Sequence, residues 1–232
     1  MTHNSFKTFK ILLVMLAFLG ISKTVAQDWP DLQHFQKENA ALLKPAEDEK
    51  RVVFMGNSIT IGWLQKRPEF FKNKPYINRG ISGQTTPQML LRFRQDVVAL
   101  QPKVVVILAG TNDIAGNTGP STLTMIVDNI KSMAEIAKAN GIKVILSSTL
   151  PAYTYPWNPK IKPAEKIIAL NKRIKEYATK NNCIYLDYFS AMVDHRNGLP
   201  KKYANDEVHP TAEGYAVMEP LVEKAIEKAL KN

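Results

Sequence analysis

The sequence predicts an α/β domain, a three-layer α/β/α sandwich built on a five-stranded parallel sheet. From Arg51 onward, short runs rich in β-branched residues alternate with longer stretches of helical periodicity. Repeated strand–helix alternation is typical of a parallel sheet with helices on both faces. The runs 104–108 and 144–146 are apolar without interruption, as a strand that is covered on both faces requires.

The elements can be placed along the chain in order. We expect strands at Arg51–Met55, Tyr76–Asn78, Lys103–Ala109, Lys143–Ser148 and Ile184–Asp187. We expect helices near Ile59–Gln65, Thr86–Ala99, Ser121–Asn140, Pro163–Asn181 and Thr211–Leu230. Pro220 should kink or split the last helix, because proline cannot donate the hydrogen bond that a helix interior needs. No internal repeat or interdomain linker is evident, so residues 51–232 are predicted to form one domain.

The first 50 residues divide into two segments. Two lysines precede an apolar run from Ile11 to Leu19, and small residues lead up to Ala26, so residues 1–26 are predicted to be a cleaved signal peptide. An uncleaved anchor is the alternative, but the run is far shorter than the roughly 20 residues that span a bilayer. We therefore expect a secreted or periplasmic protein without a stable membrane anchor. Residues 27–50 should form a helical arm that packs on the domain around Leu32, Phe35 and Leu42.

Composition excludes several kinds of function. The net charge is +10, but the basic residues are spread along the chain without a dense run, so we expect no nucleic-acid partner. Cys183 is the only cysteine, which rules out an intramolecular disulfide. Histidines and carboxylates are not spaced as a metal cluster, and no glycine-rich phosphate loop is present. The sequence therefore predicts neither a metal nor another cofactor.

Polar residues stand at the ends of the predicted strands, where parallel sheets bind their ligands. The four segments are Gly56-Asn57-Ser58-Ile59-Thr60, Asn78-Arg79-Gly80-Ile81-Ser82-Gly83-Gln84, Gly110-Thr111-Asn112-Asp113 and, before the last helix, Asp206-Glu207-Val208-His209-Pro210. A serine hydroxyl needs a base to accept its proton, and histidine suits that task at neutral pH. The base in turn needs a carboxylate to orient it. Ser58, His209 and Asp206 are therefore candidates for nucleophile, base and orienting acid.

Acyl transfer also needs donors for the negative charge on the former carbonyl oxygen. Ser58 offers its own backbone N–H at a helix start, where the helix dipole assists. Gly83 can bring a backbone N–H close to that oxygen, and Asn112 can add a side-chain amide. Taken singly, each of these residues is explained as well by a helix cap, a strained loop or a turn. Their order along the chain, each after the expected strand, favours a catalytic site.

The four segments resemble the sequence blocks of the SGNH hydrolases, also called GDSL-like esterases and lipases. The resemblance covers the chain from Arg51 to the last helix, and it implies a flavodoxin-like strand order, 2-1-3-4-5. It also implies Ser58 as nucleophile, Gly83 and Asn112 as oxyanion donors, and His209 as base oriented by Asp206. Gly80 is a second candidate for the glycine position. The first block usually reads Gly-Asp-Ser, whereas this chain has Asn57 at its centre, which leaves the hydrogen bonding of that loop open.

The substrate is less well defined by the sequence. Tyr153, Tyr155 and Trp157 follow the fourth strand, where they either contact a sugar or acyl chain or pack together to stiffen a proline-rich loop. Secreted relatives suggest, by analogy, an esterase that removes short acyl groups, often acetyl, from glycans. The alternatives are a lysophospholipase or thioesterase with the same triad, and a non-catalytic glycan-binding protein on this fold.

Overall fold

The computed structural model describes residues 28–231, and the predicted signal peptide lies outside that range. Its centre is a five-stranded parallel sheet in the order β2-β1-β3-β4-β5, as expected. The strands are β1 Val52–Gly56, β2 Tyr76–Gly80, β3 Val104–Ile107, β4 Lys143–Ser147 and β5 Ile184–Leu186. All neighbouring strands run parallel, so their carboxyl ends meet at one edge of the sheet.

The helices cover both faces of the sheet. In residues 28–231 they are α1 Gln36–Ala41, α2 Ser58–Lys66, α3 Pro68–Phe71, α4 Thr86–Asp96, α5 Thr111–Ala115, α6 Leu123–Ala139, α7 Ala164–Lys180, α8 Tyr188–Met192 and α9 Ala212–Lys231. Each of the five predicted long stretches is present, although the second ends at Asp96 and continues as a 3-10 turn over Val98–Leu100. The short helices α3, α5 and α8 were not predicted.

The sheet separates two hydrophobic cores, because successive side chains of a strand point to opposite faces. Val53 and Val105 belong to the core that α4, α6 and α7 cover. Val52 and Val104 belong to the opposite core, which α2, α3 and α9 cover. The predicted three-layer α/β/α arrangement is therefore confirmed.

The last helix is not split at Pro220. Helix α9 continues from Ala212 to Lys231 with this proline inside it. Pro220 is exposed, whereas Met218 and Val222 on either side of it are completely buried in the core. Packing of these neighbours holds the helix together where the proline lacks a hydrogen-bond donor.

The described part of the arm, residues 28–50, is less helical than expected. Its one helix is α1, six residues long. Of the three apolar residues expected to pack it, Phe35 is buried, whereas Leu32 and Leu42 are 39% and 36% exposed. Besides Phe35, the arm is held by hydrogen bonds with the domain, such as that from Gln88 Nε2 to the Trp29 carbonyl at 2.7 Å.

Candidate active site

Ser58 stands at the first turn of α2, directly after β1. Asn57 caps this helix, its Oδ1 accepting a hydrogen bond from the Ile59 backbone N–H at 3.0 Å. At Gly56 an added Cβ would lie 1.9 Å from Thr60 Oγ1, so only glycine lets the strand turn this closely into the helix. The buried cap and the glycine fix where the Ser58 hydroxyl points.

Ser58 and His209 meet although they are 151 residues apart in the sequence. Ser58 Oγ lies 2.9 Å from His209 Nε2, and His209 Nδ1 lies 2.6 Å from Asp206 Oδ2. The other oxygen of Asp206 accepts hydrogen bonds from the backbone N–H groups of Val208 and His209, at 3.0 and 2.7 Å. This arrangement can withdraw a proton from the Ser58 hydroxyl and hold the resulting imidazolium beside a carboxylate.

The environment of Asp206 keeps its carboxyl group ionised. Partial burial raises the pKa of Asp206, but the hydrogen bonds from the His209 ring and from the backbone N–H groups of His209 and Val208 outweigh it, so the net pKa is lowered. The negative charge that orients the histidine is therefore present throughout the neutral range.

Gly83 follows β2 in a loop and has a φ of +77°, a conformation that favours glycine. Within residues 28–231 its backbone N–H donates no hydrogen bond, and neither does that of Ser58, so both are free to meet an oxyanion. Gly80, the second candidate, lies in β2, where an added Cβ would come within 2.3 Å of the Ile61 backbone nitrogen. Its role is therefore to allow α2 to pack closely against β2.

Asn112 lies in α5, the short helix after β3, and only 3% of it is exposed. Its Nδ2 donates a hydrogen bond to the backbone carbonyl of Gln84 at 2.9 Å, which ties it to the residue after Gly83. An amide nitrogen carries two hydrogens, so a second donor remains. The structure thus connects the two segments predicted to supply oxyanion donors.

The three aromatic residues after β4 have different environments. Trp157 is 45% exposed, and its ring centroid lies 5.9 Å from that of His209. Tyr155 is completely buried beneath it, with the two rings stacked at 5.1 Å and the hydroxyl 2.9 Å from Thr111 Oγ1. Tyr153 is exposed, and its ring packs under the guanidinium of Arg196 at 5.3 Å. Trp157 alone of the three borders the histidine, and Tyr155 supports it.

Asn117 was not predicted from the sequence, where it reads as an ordinary loop residue. Its Oδ1 accepts a hydrogen bond from Trp157 Nε1 at 3.3 Å, and its Nδ2 donates to the Gly83 carbonyl at 3.2 Å. It therefore links the aromatic residue beside His209 to the glycine loop. No local pattern could have indicated this, because the three residues come from separate loops.

A cavity of about 620 Å³ lies elsewhere, at the amino ends of β4 and β5. Its walls include Lys143, Cys183 and Lys228, and none of the candidate site residues. Burial raises the pKa of the Cys183 thiol, which makes it a poor nucleophile. This cavity is at the opposite edge of the sheet from Ser58 and is separate from the candidate active site.

Between residues 28 and 231, no three or more His, Cys, Asp or Glu side chains group as a metal site would require. Nor does that part of the chain contain a helix long and apolar enough to cross a membrane.

Comparison with known proteins identifies close relatives. Residues 54–217 match the model of the GDSL-like Lipase/Acylhydrolase family, a range that contains Ser58, Gly83, Asn112, Asp206 and His209. A candidate acylhydrolase from Bacteroides fragilis is 54% identical, with a TM-score of 0.86 over 88% of this chain and 99% of that one. A GDSL-like lipase from Bacteroides thetaiotaomicron is 53% identical, with a TM-score of 0.84 over 86% of this chain and 98% of that one.

Among curated proteins, an acetylxylan esterase from Xylanibacter ruminicola is 26% identical over 78% of this chain. This chain spans less than half the length of the curated relatives that it matches. The solved structures, by contrast, are covered almost completely, so their fold can be compared with this one from end to end.

Proposed function

Because this chain belongs to the GDSL-like lipase/acylhydrolase family of carboxylic ester hydrolases, we propose that it is a serine esterase for short O-acyl groups on carbohydrates. Acetyl is the acyl group we favour. The observation that carries the proposal is the continuous hydrogen-bonded path from Ser58 through His209 to Asp206. A binding protein has no need of this path, which argues against a non-catalytic role.

The reaction we propose has two halves. His209 Nε2 accepts the proton of Ser58 as its Oγ attacks the acyl carbon, and Asp206 stabilises the imidazolium. The backbone N–H groups of Ser58 and Gly83 and the Asn112 amide receive the negative charge that develops on the carbonyl oxygen. His209 then gives its proton to the leaving alcohol, and a water molecule, activated by the same histidine, releases the acid from the acyl-serine.

Trp157 supports a carbohydrate as the alcohol half of the substrate. Its ring is 45% exposed beside His209, which is the side from which the leaving alcohol must receive its proton. An indole face suits the apolar face of a sugar, and the buried Tyr155 keeps that face rigid. The acetylxylan esterase among the relatives acts on a glycan ester, which agrees with this proposal.

We further propose that the mature protein is secreted or periplasmic, with residues 27–50 as an arm on the catalytic domain of residues 51–232. The proposal rests on the charged, apolar and small-residue pattern of residues 1–26. Determining the amino-terminal residue of the protein recovered from the producing cells tests it. Cleavage after Ala26 is the expected result.

The function is tested with acetylated xylooligosaccharides and p-nitrophenyl esters of increasing chain length, with Ser58→Ala as control. Acetyl esters should be hydrolysed fastest, and Ser58→Ala should lower kcat by about 10³-fold or more. A preference for long acyl chains would favour a lysophospholipase or thioesterase. Folded wild-type protein that neither hydrolyses these esters nor reacts with a fluorophosphonate would favour the non-catalytic alternative.

The carbohydrate part has a separate test in Trp157→Ala, with Tyr153→Ala as matched control. Both residues are similarly exposed aromatics on the same loop, but only Trp157 borders His209. We expect Trp157→Ala to raise KM for acetylated oligosaccharides about 3- to 10-fold, the range of one aromatic contact. KM for p-nitrophenyl acetate should stay constant in both variants. Equal effects of the two substitutions would exclude Trp157 as a sugar platform.

A further inference from the structure

Gln84, the residue after Gly83, contacts three separate parts of the molecule although only 3% of it is exposed. Its Oε1 accepts a hydrogen bond from Arg92 Nε at 2.5 Å, and its Nε2 donates to the Pro30 carbonyl in the arm at 2.7 Å. Its backbone carbonyl accepts from Asn112 Nδ2 at 2.9 Å. Gln84 therefore joins the two proposed oxyanion donors to the arm and to a buried arginine.

Arg92 in turn connects the ends of the two strands that precede Ser58 and Gly83. Its Nη2 donates to the backbone carbonyls of Gly56 at 3.0 Å and Arg79 at 2.9 Å. Its Nη1 pairs with Asp96 at 3.0 Å, and both side chains of this pair are completely buried. A guanidinium group is planar and its donors point in fixed directions, so Arg92 sets the distance between the ends of β1 and β2.

The arm completes the surroundings of this arginine. Asn39 Nδ2 donates to Asp96 Oδ1 at 2.7 Å, while its Oδ1 accepts from Arg79 at 2.7 and 2.9 Å. The Phe35 ring lies 4.6 Å from the Arg79 guanidinium and 6.0 Å from that of Arg92. The arm thus supplies partners to polar groups that are shielded from water, where an unpaired group would be costly.

We propose that Gln84 is a positioning residue, through which Arg92 and the arm hold Gly83 and Asn112 in place to receive the oxyanion. The inference rests on the proposed function, because the position of these donors matters to a rate only if Ser58 attacks an ester. Such donors must lie within about 2.7–3.1 Å of the oxygen, and a misplacement of about 1 Å can cost about 10²-fold in rate. Among the described residues, the Asn112 Nδ2 has only the Gln84 carbonyl to hold it.

The test compares Gln84→Ala with Gln95→Ala on p-nitrophenyl acetate. Gln95 is a matched control, because its Nε2 also donates to an arm carbonyl, that of Leu32 at 2.5 Å, and to Asp96 Oδ1 at 3.4 Å, without touching Gly83 or Asn112. Gln84→Ala should lower kcat about 10- to 100-fold with KM within about twofold of wild type. Gln95→Ala should keep kcat within about twofold. An unchanged kcat in Gln84→Ala, a change in KM alone, or equal losses in both variants would overturn the proposal.

A second measurement separates positioning from general loosening of the fold. If Gln84 acts through the oxyanion donors, Gln84→Ala combined with Asn112→Ala should reduce kcat by less than the product of the two single effects. Full multiplication of the effects would overturn the proposal. If Gln84→Ala does not fold, Gln84→Glu keeps the acceptor for Arg92 and loses the donor to Pro30. A wild-type kcat in Gln84→Glu would then overturn the role that the proposal gives to the arm.

The outcome also distinguishes this inference from the proposed function. Wild-type protein that lacks esterase activity, or retains it in Ser58→Ala, would remove both proposals together. Activity that depends on Ser58 but survives Gln84→Ala would remove the positioning role and leave the esterase intact.

Discussion

The nucleophile half of the site and its histidine half are anchored in different ways. Ser58, Gly83 and Asn112 follow three neighbouring strands and are backed by buried polar side chains such as Asn57 and Arg92, at 1% and 0% exposure. Asp206 and His209 stand in a loop before α9, and their side chains are 41% and 35% exposed.

The histidine half is held by hydrogen bonds within its own loop, by one hydrogen bond from α2 and by one buried residue, Val208, which belongs to the hydrophobic core. Asp206 accepts backbone hydrogen bonds from its own loop, and Lys66 Nζ in α2 donates to the Pro210 carbonyl at 2.9 Å. The nucleophile half is instead backed by several buried polar side chains at the strand ends. The difference implies that substitutions in the histidine half should affect the rate alone, whereas those in the nucleophile half should affect both rate and stability.

The strongest test of this difference is His209→Ala. Without the base, kcat should fall by about 10³- to 10⁶-fold. The free energy of unfolding should change by less than about 1 kcal/mol, because the side chain is partly exposed and packs in a surface loop. Ester hydrolysis and urea denaturation of the same preparations measure kcat and the free energy of unfolding, respectively. A large loss of stability would show that the loop is as firmly built into the core as the strand ends.

Arg92→Met should have the next largest effect, and we expect it on the free energy of unfolding. Breaking a buried ion pair from one side costs about 3–5 kcal/mol, because Asp96 would stay buried without its cation. The matched control is Arg94→Met, two residues further along α4 and exposed, which should change the free energy of unfolding by less than about 0.5 kcal/mol. Similar values for both variants in chemical denaturation would contradict the proposed anchoring role.

The smallest effect concerns Asn57, which stands between Gly56 and Ser58 and caps α2. Asn57→Ala removes the cap of α2 and should cost about 1 kcal/mol of unfolding free energy. Asn57→Asp keeps an acceptor oxygen and places a negative charge at a helix amino terminus, so it should be milder. Thermal denaturation of the two variants would rank them. Equal losses of stability in the two variants would mean that the cost of burying the aspartate charge cancels the gain from its capping oxygen.

Much of this architecture could be predicted because its signals are local. The uninterrupted apolar runs of β3 and β4 identified strands covered on both faces, and helices lay between them as expected. The short helices were missed because one turn or two leaves no periodicity to read. Thr111–Ala115, for example, reads as a turn in the sequence, and it becomes helical where Asp113 accepts hydrogen bonds from Thr86 of α4.

The candidate site residues could be predicted because they follow the strands in order. The buried contacts that hold these residues in place could not be predicted. Met89, Arg92, Phe93 and Asp96 share one face of α4, so a charged pair lies in an apolar stripe. Charged residues on an otherwise apolar helix face indicate a buried ion pair, and this was the one sign of it in the sequence. Its partners, Gly56 and Gln84, are brought to it only by tertiary structure, which no spacing in the sequence reveals.

The long separation of Ser58 and His209 has a consequence for the order in which the protein becomes active. The histidine loop follows all five strands, and 151 residues lie between it and the serine. Bringing together residues so far apart in the sequence costs chain entropy, and we expect this contact to form late, once the intervening strands and helices have positioned both of its ends. Native-like secondary structure can therefore exist before any esterase activity does. Recovered catalysis would report that the chain has folded through to its last helix, not that the sheet alone has formed.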